Sequence, residues 1–196
     1  AVGGEEPETT LVSTIITGNS AANAPDVQRF SHPITDLGNN LIARGGGSVK
    51  RQDPMTDKWY EVVRVPSGIS WEAARDAAIA AGGILASINN EDENTFVAGL
   101  VNDPQYWNVS ENGNTFFNHG PWIGGLQAKG STENGDGFVW SDGSSLSSYN
   151  NWRSGEPSNT TGNEDAVHYF TINNGSATRG DQWNDSWRKS SFVVPT

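Results

Sequence analysis

Two polar stretches decide how this sequence is interpreted: "GEPSNTTGNEDAV" at residues 155–167 and "WND" at residues 183–185. Together they hold carboxylate, amide and hydroxyl side chains, with neither histidine nor cysteine among them. An all-oxygen set suits Ca²⁺, which takes about 6–8 oxygen ligands in flexible geometry, whereas zinc selects histidine and cysteine. On this chemistry alone, a calcium site and an ordinary solvated acidic loop both remain open.

The composition excludes several classes of function. The 196-residue chain has 23 Asp and Glu against 12 Lys and Arg, which gives a formal net charge of −11. Nucleic acids and anionic membrane surfaces require basic patches, so neither is an expected partner. The chain contains no cysteine, which excludes disulfides, cysteine–zinc sites and thiol nucleophiles. No apolar run approaches the roughly 18 residues of a transmembrane helix, so membrane insertion is not expected.

The order of predicted elements over residues 58–196 indicates an α+β domain, with two helices first and an antiparallel sheet later. Ser70 and Asn90 are suitable N-caps for these helices, and Gly82 is placed to end the first one. Residues 144–162 are almost all loop formers, and a loop of that length is functional or is ordered by a ligand. Strands are predicted at residues 58–68, 84–88, 121–127, 138–144 (entering a turn), 165–172 and 191–194, with an aromatic loop at 105–120.

Residues 1–57 are weakly patterned and begin with an acidic stretch. Residues 11–17 favour one short strand there. We therefore divide the chain into an N-terminal extension of unknown role at residues 1–57 and a main domain at residues 58–196.

The aromatic and histidine residues are expected to serve structure. Eight tryptophans in a glycine-rich chain are typical of loops anchored to a small core. His168 lies on a predicted strand without a nucleophile or a metal-type spacing around it, so we expect it to be structural.

Six motifs occur in an order and spacing that resembles the C-type lectin-like domain, and the resemblance covers residues 58–196. The combination is specific, although each motif alone would be weak. The motifs are "SWEAARDAAIAAGGILASINNEDENTFV" (70–97), "PWIGGLQ" (121–127), "FVWSDGS" (138–144), "NWRSGEPSN" (151–159), "GNEDAV" (162–167) and "WND" (183–185).

This resemblance implies a compact α+β fold with two helices, small antiparallel sheets and a long calcium-binding loop region. It implies that vicinal sugar hydroxyls coordinate a loop-bound Ca²⁺ and hydrogen-bond to its ligand side chains. The implied calcium ligands are Glu156, Ser158, Glu164, Asn184 and Asp185, of which all but Asp185 also contact sugar. A possible second calcium is implied at Glu133, Asp136, Asn159 and Asp165.

Two departures from the family pattern matter. Ser158 replaces the usual Asn or Asp, which leaves the sugar class open between mannose- or fucose-type and galactose-type glycans. The disulfides of animal members are absent, and Ala78, Ala166, Arg188 and Val194 stand near their positions. An apolar contact between Ala78 and Val194 is expected to replace one bridge, and the cysteine-free form is typical of a bacterial member.

The sequence therefore predicts a calcium-dependent carbohydrate-binding module of a secreted or cell-surface bacterial protein, whose partner is a glycan on a host or neighbouring cell. The alternative is a protein-interaction or adhesion module with structural calcium, and binding to ice or another ordered surface is a weaker one. Catalysis is not expected. A glycosidase needs one protonated carboxyl group, and calcium would keep both Glu156 and Glu164 ionised.

Overall fold

A computed structural model describes residues 9–11, 34–36, 49–128, 131, 137–160, 162–174 and 179–190. The chain forms two compact units, residues 1–64 and 65–196. The boundary predicted from the sequence, between residues 57 and 58, lies shortly before this division. None of the helices in the described ranges is long and apolar enough to cross a bilayer.

Within the described residues, the first unit contains two small strand pairs. β1 (Thr9–Leu11) runs parallel to β2 (Ile34–Asp36), and β3 (Val49–Gln52) runs antiparallel to β4 (Trp59–Val62). Of the strand predicted at residues 11–17, only residue 11 lies within the described residues. The strand predicted at 58–68 is present but shorter.

The second unit begins with two capped helices, α1 (Trp71–Ala80) and α2 (Glu91–Leu100). The Ser70 hydroxyl accepts the N–H of the third residue after it, and the Asn90 side chain accepts the N–H of Glu93 at 2.9 Å. Gly82 follows α1 with φ of 83°, a left-handed conformation that glycine adopts at little cost. The predicted helices and their caps are confirmed.

Among the described residues, the main sheet contains five strands: β5 (Asn108–Asn112), β6 (Thr115–Gln127), β7 (Phe138–Val139), β8 (Ala166–Asn174) and β9 (Trp183–Ser186). Their order is β5-β6-β8-β9, with β7 paired to β6, and every neighbouring pair is antiparallel. The α+β architecture with small antiparallel sheets is thus as expected. The strand predicted at residues 191–194 lies outside the described residues.

Two sequence predictions were wrong. Residues 105–120 are not an aromatic loop: they form a short 3-10 turn (Pro104–Tyr106), then β5 and the first part of β6, joined at a tight turn where Gly113 has φ of 62°. Residues 84–88 are not a strand. They run as an irregular segment, with Ile84 51% exposed, fixed to β6 by a bond from the Gly124 N–H to the Ala86 carbonyl.

The core is built around Trp183, which is completely buried. The rings of Trp140, Tyr149 and Trp152 meet its ring edge-on, with centroids 5.3, 5.7 and 6.0 Å away. Its indole N–H donates to the side-chain oxygen of Asn94, a buried residue of α2. These rings tie the long loop to β9, as expected for tryptophans in a loop-rich chain.

Candidate functional site

The long loop before β8 is bonded to the strand that carries the "WND" motif. The Arg153 N–H donates to the carbonyl of Trp183, and the Trp183 N–H donates to the carbonyl of Asn151, each at 2.9 Å. These bonds fix the loop to the start of β9. The two polar stretches that are distant in sequence therefore meet in space.

The turn that follows points backbone donors at a carboxylate. Glu156 and Pro157 are joined by a cis peptide bond, and Asn159 has φ of 44°. The N–H groups of Ser158 and Asn159 donate to the two carboxylate oxygens of Asp185, at 3.1 and 3.2 Å. Asp185 is 1% exposed, so this buried charge is stabilised by two backbone donors from the loop.

Polar bonds also connect residues 158–164 to one another. A Glu164 carboxylate oxygen accepts the Thr160 N–H at 2.6 Å, and the Asn159 side-chain oxygen accepts the Glu164 N–H at 2.9 Å. The hydroxyls of Ser158 and Thr160 lie 2.8 Å apart. Glu164, eight residues after Glu156, is thereby held on the same turn as Ser158.

Glu156 carries an oxygen whose surroundings suit a cation. Its Oε2 atom is buried and has no hydrogen-bond partner among the described residues. Burial raises the pKa of Glu156; hydrogen bonding by Ser158 opposes the rise, and the charges of Asp185 and Glu164 add to it. A bound cation would favour the ionised carboxylate and satisfy the buried oxygen, so the donor set fits Ca²⁺.

Carboxylates alone do not complete such a site. Within the described ranges, no three Asp, Glu or His side chains form a group able to hold a metal ion. A calcium ion here would therefore also depend on amide and hydroxyl oxygens, which Asn184 and Ser158 provide.

Asn184 lies opposite His168 in the β8–β9 register, and its side chain contacts that residue. The Asn184 Nδ2 atom lies 3.4 Å from His168 Nε2 and donates to the Asp185 carbonyl at 2.5 Å. His168 is completely buried and stacks on His119. Burial, with a smaller effect of His119, lowers the pKa of His168 to about 3, so its ring is neutral at physiological pH.

Sequence reasoning placed His168 on a strand and in a structural role, but it missed the contact with Asn184. The signal that could have found it is alternation: His168 and Asn184 point to the same face once their strands are paired in register. That register, however, depends on the turn between the strands, which the sequence pattern did not define.

The described residues of the implied second calcium site make contacts with other protein groups. Asp165 forms an ion pair with Arg188, in which Nε lies 2.6 Å from Oδ2 and a terminal guanidinium nitrogen contacts the same oxygen. The Asn159 side chain accepts the Glu164 N–H, as described above. Glu133 and Asp136 lie outside the described residues.

The described residues that the resemblance places near the family's disulfides have separate surroundings in the structure. Ala166 is completely buried at the start of β8, and Arg188 reaches the neighbouring Asp165. Ala78 lies half-buried on α1. The expected contact between Ala78 and Val194 falls outside the described residues.

Comparison with known proteins gives one family and several relatives. The family described as "Lectin C-type domain" matches residues 67–191. A perlucin-like protein of Mytilus galloprovincialis is 29% identical over 120 residues, which is 61% of this chain and 64% of that protein. A lectin of Pleurodeles waltl is 32% identical over 62% of this chain and 59% of its own length. Chondrolectin of Mus musculus is 34% identical over 61% of this chain and 43% of its own.

The chain thus spans less than two thirds of the length of each of these relatives. Among solved structures, the C-type carbohydrate-recognition domain of cow CD23, determined with a GlcNAc2Man3 oligosaccharide, has a TM-score of 0.44 and 24% identity over 69% of this chain and 87% of its own. Herring type II antifreeze protein has a TM-score of 0.46 and 24% identity over 65% of this chain and 80% of its own.

Proposed function

The chain belongs to the lectin C-type domain family, and from that premise we propose that it is a calcium-dependent carbohydrate-binding module of a secreted or cell-surface protein. Lectins of this family generally use Ca²⁺ and are typically not enzymes. Its glycan partner is displayed on a host or neighbouring cell surface. The relatives named above are animal proteins, so a bacterial origin, suggested by the missing cysteines, has no support among them.

The observation that carries the proposal is the buried, unpartnered Oε2 atom of Glu156, for which the described residues offer no donor. A buried carboxylate oxygen without a donor is costly, and the charges of Asp185 and Glu164 increase that cost. A cation bound at this oxygen would offset that cost.

Five side chains would hold the ion: Glu156, Ser158, Glu164, Asn184 and Asp185. Because the three carboxylates do not form a ready metal-binding group among the described residues, they would have to move closer together around the ion. Bound calcium would offer coordination positions to two vicinal sugar hydroxyls. Glu156, Ser158, Glu164 and Asn184 would hydrogen-bond to these hydroxyls. Asp185 would hold the turn in place, because its carboxylate already takes the N–H groups of Ser158 and Asn159.

Ser158 is the residue that leaves the sugar class open. Its hydroxyl lies 2.8 Å from that of Thr160, and it also interacts with the Glu156 carboxyl group. A hydroxyl can donate and accept, so it can serve either orientation of a sugar hydroxyl pair. Both mannose- or fucose-type and galactose-type glycans are therefore candidates.

Isothermal titration calorimetry with calcium, followed by titration with mannose, fucose and galactose, tests the proposal. We expect calcium to bind first and one sugar class to bind only when calcium is present. Glu156→Gln, which keeps the shape and removes the charge, is expected to weaken calcium binding at least tenfold. The matched control is Glu111→Gln on the exposed end of β5, which should leave calcium affinity unchanged.

The outcomes separate the candidate functions. Sugar binding that persists unchanged in excess EDTA would overturn the mechanism. Calcium binding without any glycan binding, on a broad glycan array, would overturn the lectin function and favour the protein-interaction module with structural calcium.

A further inference from the structure

We propose that His168 is a positioning residue for the calcium-binding group: its Nε2 atom accepts the side-chain amide of Asn184, which leaves the Asn184 carbonyl oxygen available as a metal ligand. This inference deepens the proposed function and rests on it. It assigns a role to a buried histidine that lies on β8 rather than in the loop.

The contact follows from strand pairing. His168 on β8 and Asn184 on β9 are directly opposite each other, so their side chains lie on the same face of the sheet. Asn184 Nδ2 is 3.4 Å from His168 Nε2. The same Nδ2 atom donates to the Asp185 carbonyl at 2.5 Å, so both amide hydrogens have acceptors within the protein.

The imidazole cannot easily turn away from Asn184, because aromatic rings enclose it. Its centroid lies 5.6 Å from that of His119, 5.4 Å from that of Trp122 and 5.6 Å from that of Phe170. His168 is itself completely buried. A close-packed ring of this kind fixes the direction in which Nε2 points.

The orientation of an asparagine amide matters for calcium because its two ends are almost equal in shape and opposite in chemistry. The carbonyl oxygen is a calcium ligand, whereas the NH₂ group repels a cation. An acceptor on one side of the amide selects the useful orientation before calcium arrives. Partners of this kind behind a metal ligand typically change metal affinity by about 10–100-fold when they are removed.

A purely structural histidine would behave differently. If His168 only filled space among aromatic rings, phenylalanine would replace it with little effect on calcium affinity. If its acceptor orients Asn184, phenylalanine would weaken calcium binding even where the fold is kept.

The first experiment compares calcium affinity, measured with calcium alone by calorimetry, in three variants. His168→Phe removes the acceptor and keeps a ring, and we expect about a tenfold weaker affinity. His168→Gln, whose amide oxygen can reach the place of Nε2, is expected to restore most of it. Val97→Ala in α2 is the control: it removes buried apolar contacts but neither an acceptor nor a ring of the group around His168, so its calcium affinity should equal that of the unaltered protein.

Equal calcium affinities for His168→Phe and the unaltered protein would overturn the proposal, as would a Val97→Ala variant that binds calcium as weakly as His168→Phe. Chemical denaturation of each variant ensures that only folded protein is compared.

A second measurement needs neither calcium nor a variant. If Nε2 accepts from Asn184, the ring proton must be on Nδ1, and the ¹⁵N shifts of the two His168 nitrogens report that tautomer directly in the calcium-free protein. We expect the Nδ1–H form, with slow solvent exchange of the Asn184 amide protons. A ring protonated on Nε2 would contradict the proposal even if calcium binds.

The two measurements also separate this inference from the function on which it rests. An unaltered protein that binds no calcium would end the proposed function, while the tautomer would still decide the role of His168. Calcium binding with an Nε2–H ring would retain the function and exclude the positioning role.

Discussion

Arg188 contacts Asp165 with both its side chain and its backbone: Nε lies 2.6 Å from one carboxylate oxygen, and the backbone N–H lies 3.2 Å from the other. The contact joins the start of β8 to the segment after β9. It lies at Arg188 and next to Ala166, two of the four residues that the resemblance places near disulfides of animal members. A charged contact thus joins the two segments that carry these residues.

We expect Arg188→Gln to lower the free energy of unfolding by about 1–3 kcal/mol, because it leaves a partly buried carboxylate without its charged donor. The matched control is Arg75→Gln, whose ion pair with Asp76 is more exposed and should contribute less than about 1 kcal/mol. Urea denaturation measures both. Equal losses for the two variants would contradict a specific role for the Arg188 contact.

The same contact bears on the proposed second calcium group. Because Arg188 occupies both oxygens of Asp165, it competes with any cation for that carboxylate. We therefore expect Arg188→Gln to strengthen a second, weaker calcium-binding step in calorimetry. Asp165→Asn in the same background should abolish that step. If neither change alters the second step, Asp165 is not one of its ligands.

Calcium should order the loop at residues 144–164. Without calcium, the charges of Glu156, Glu164 and Asp185 repel one another. Bound calcium stabilises the folded loop by a free energy that grows with the logarithm of the calcium concentration over Kd. Trypsin cleavage after Arg153 should be faster in EDTA than in calcium. Cleavage after the exposed Lys58 in the first unit is the internal control and should not change. Equal rates at Arg153 in both conditions would count against any metal in the loop.

Local signals predicted part of this fold well. Ser70 and Asn90 begin helices because their side chains accept hydrogen bonds from backbone N–H groups of the first helical turn. The preference of Ser and Asn for this position depends on only a few neighbouring residues, so it can be recognised in the sequence. The alternation of residues 165–172 likewise predicted β8. The β5–β6 hairpin was missed, because its aromatic residues occur on both faces and hide the alternation that marks a strand.

Contacts between residues far apart in the sequence were harder to predict than the helices and strands. The sequence predicts Glu156 and Asp185 in one calcium site, but no local pattern states that Ser158 and Asn159 donate to Asp185. The Arg188–Asp165 pair and the His168–Asn184 contact depend on strand register. Register is determined by the turns and by packing across the whole sheet, which a single sequence does not display.

The two glycines of "WIGGL", Gly124 and Gly125, lie on β6 where atoms of neighbouring segments approach the backbone closely. A substitution at Gly125 tests how tightly this strand is packed. A Cβ atom there would overlap a methyl group of the completely buried Val167 and meet Leu146 at 3.0 Å. We expect Gly125→Ala to destabilise the protein by about 1–3 kcal/mol through overpacking. Gly99→Ala is the control: no atom lies within 4 Å of its Cβ position in α2, so helix propensity should stabilise it by up to about 1 kcal/mol. Similar unfolding free energies for both variants would show that β6 can relax.

His119 should make the stability of the protein depend on pH. Burial lowers its pKa to about 4, whereas a histidine in the unfolded chain titrates near 6.5. Below pH 6.5 the unfolded chain therefore binds protons that the folded chain does not. The stability present above about pH 6.5 is lost as the pH falls toward 4.

At pH 5 this difference corresponds to about 2 kcal/mol for His119. His168, which stacks on it and has a pKa of about 3, adds a loss of the same sign. We expect the unaltered protein to lose about 2 kcal/mol more between pH 7 and pH 5 than His119→Phe, which keeps a ring beside His168 and Phe170 but does not titrate. Urea denaturation at the two pH values measures this difference. Phe170→Leu is a packing control, which should be less stable at both pH values and keep the full pH dependence of the unaltered protein. If His119→Phe also kept that full dependence, His119 would be protonated in the folded protein as readily as in the unfolded chain.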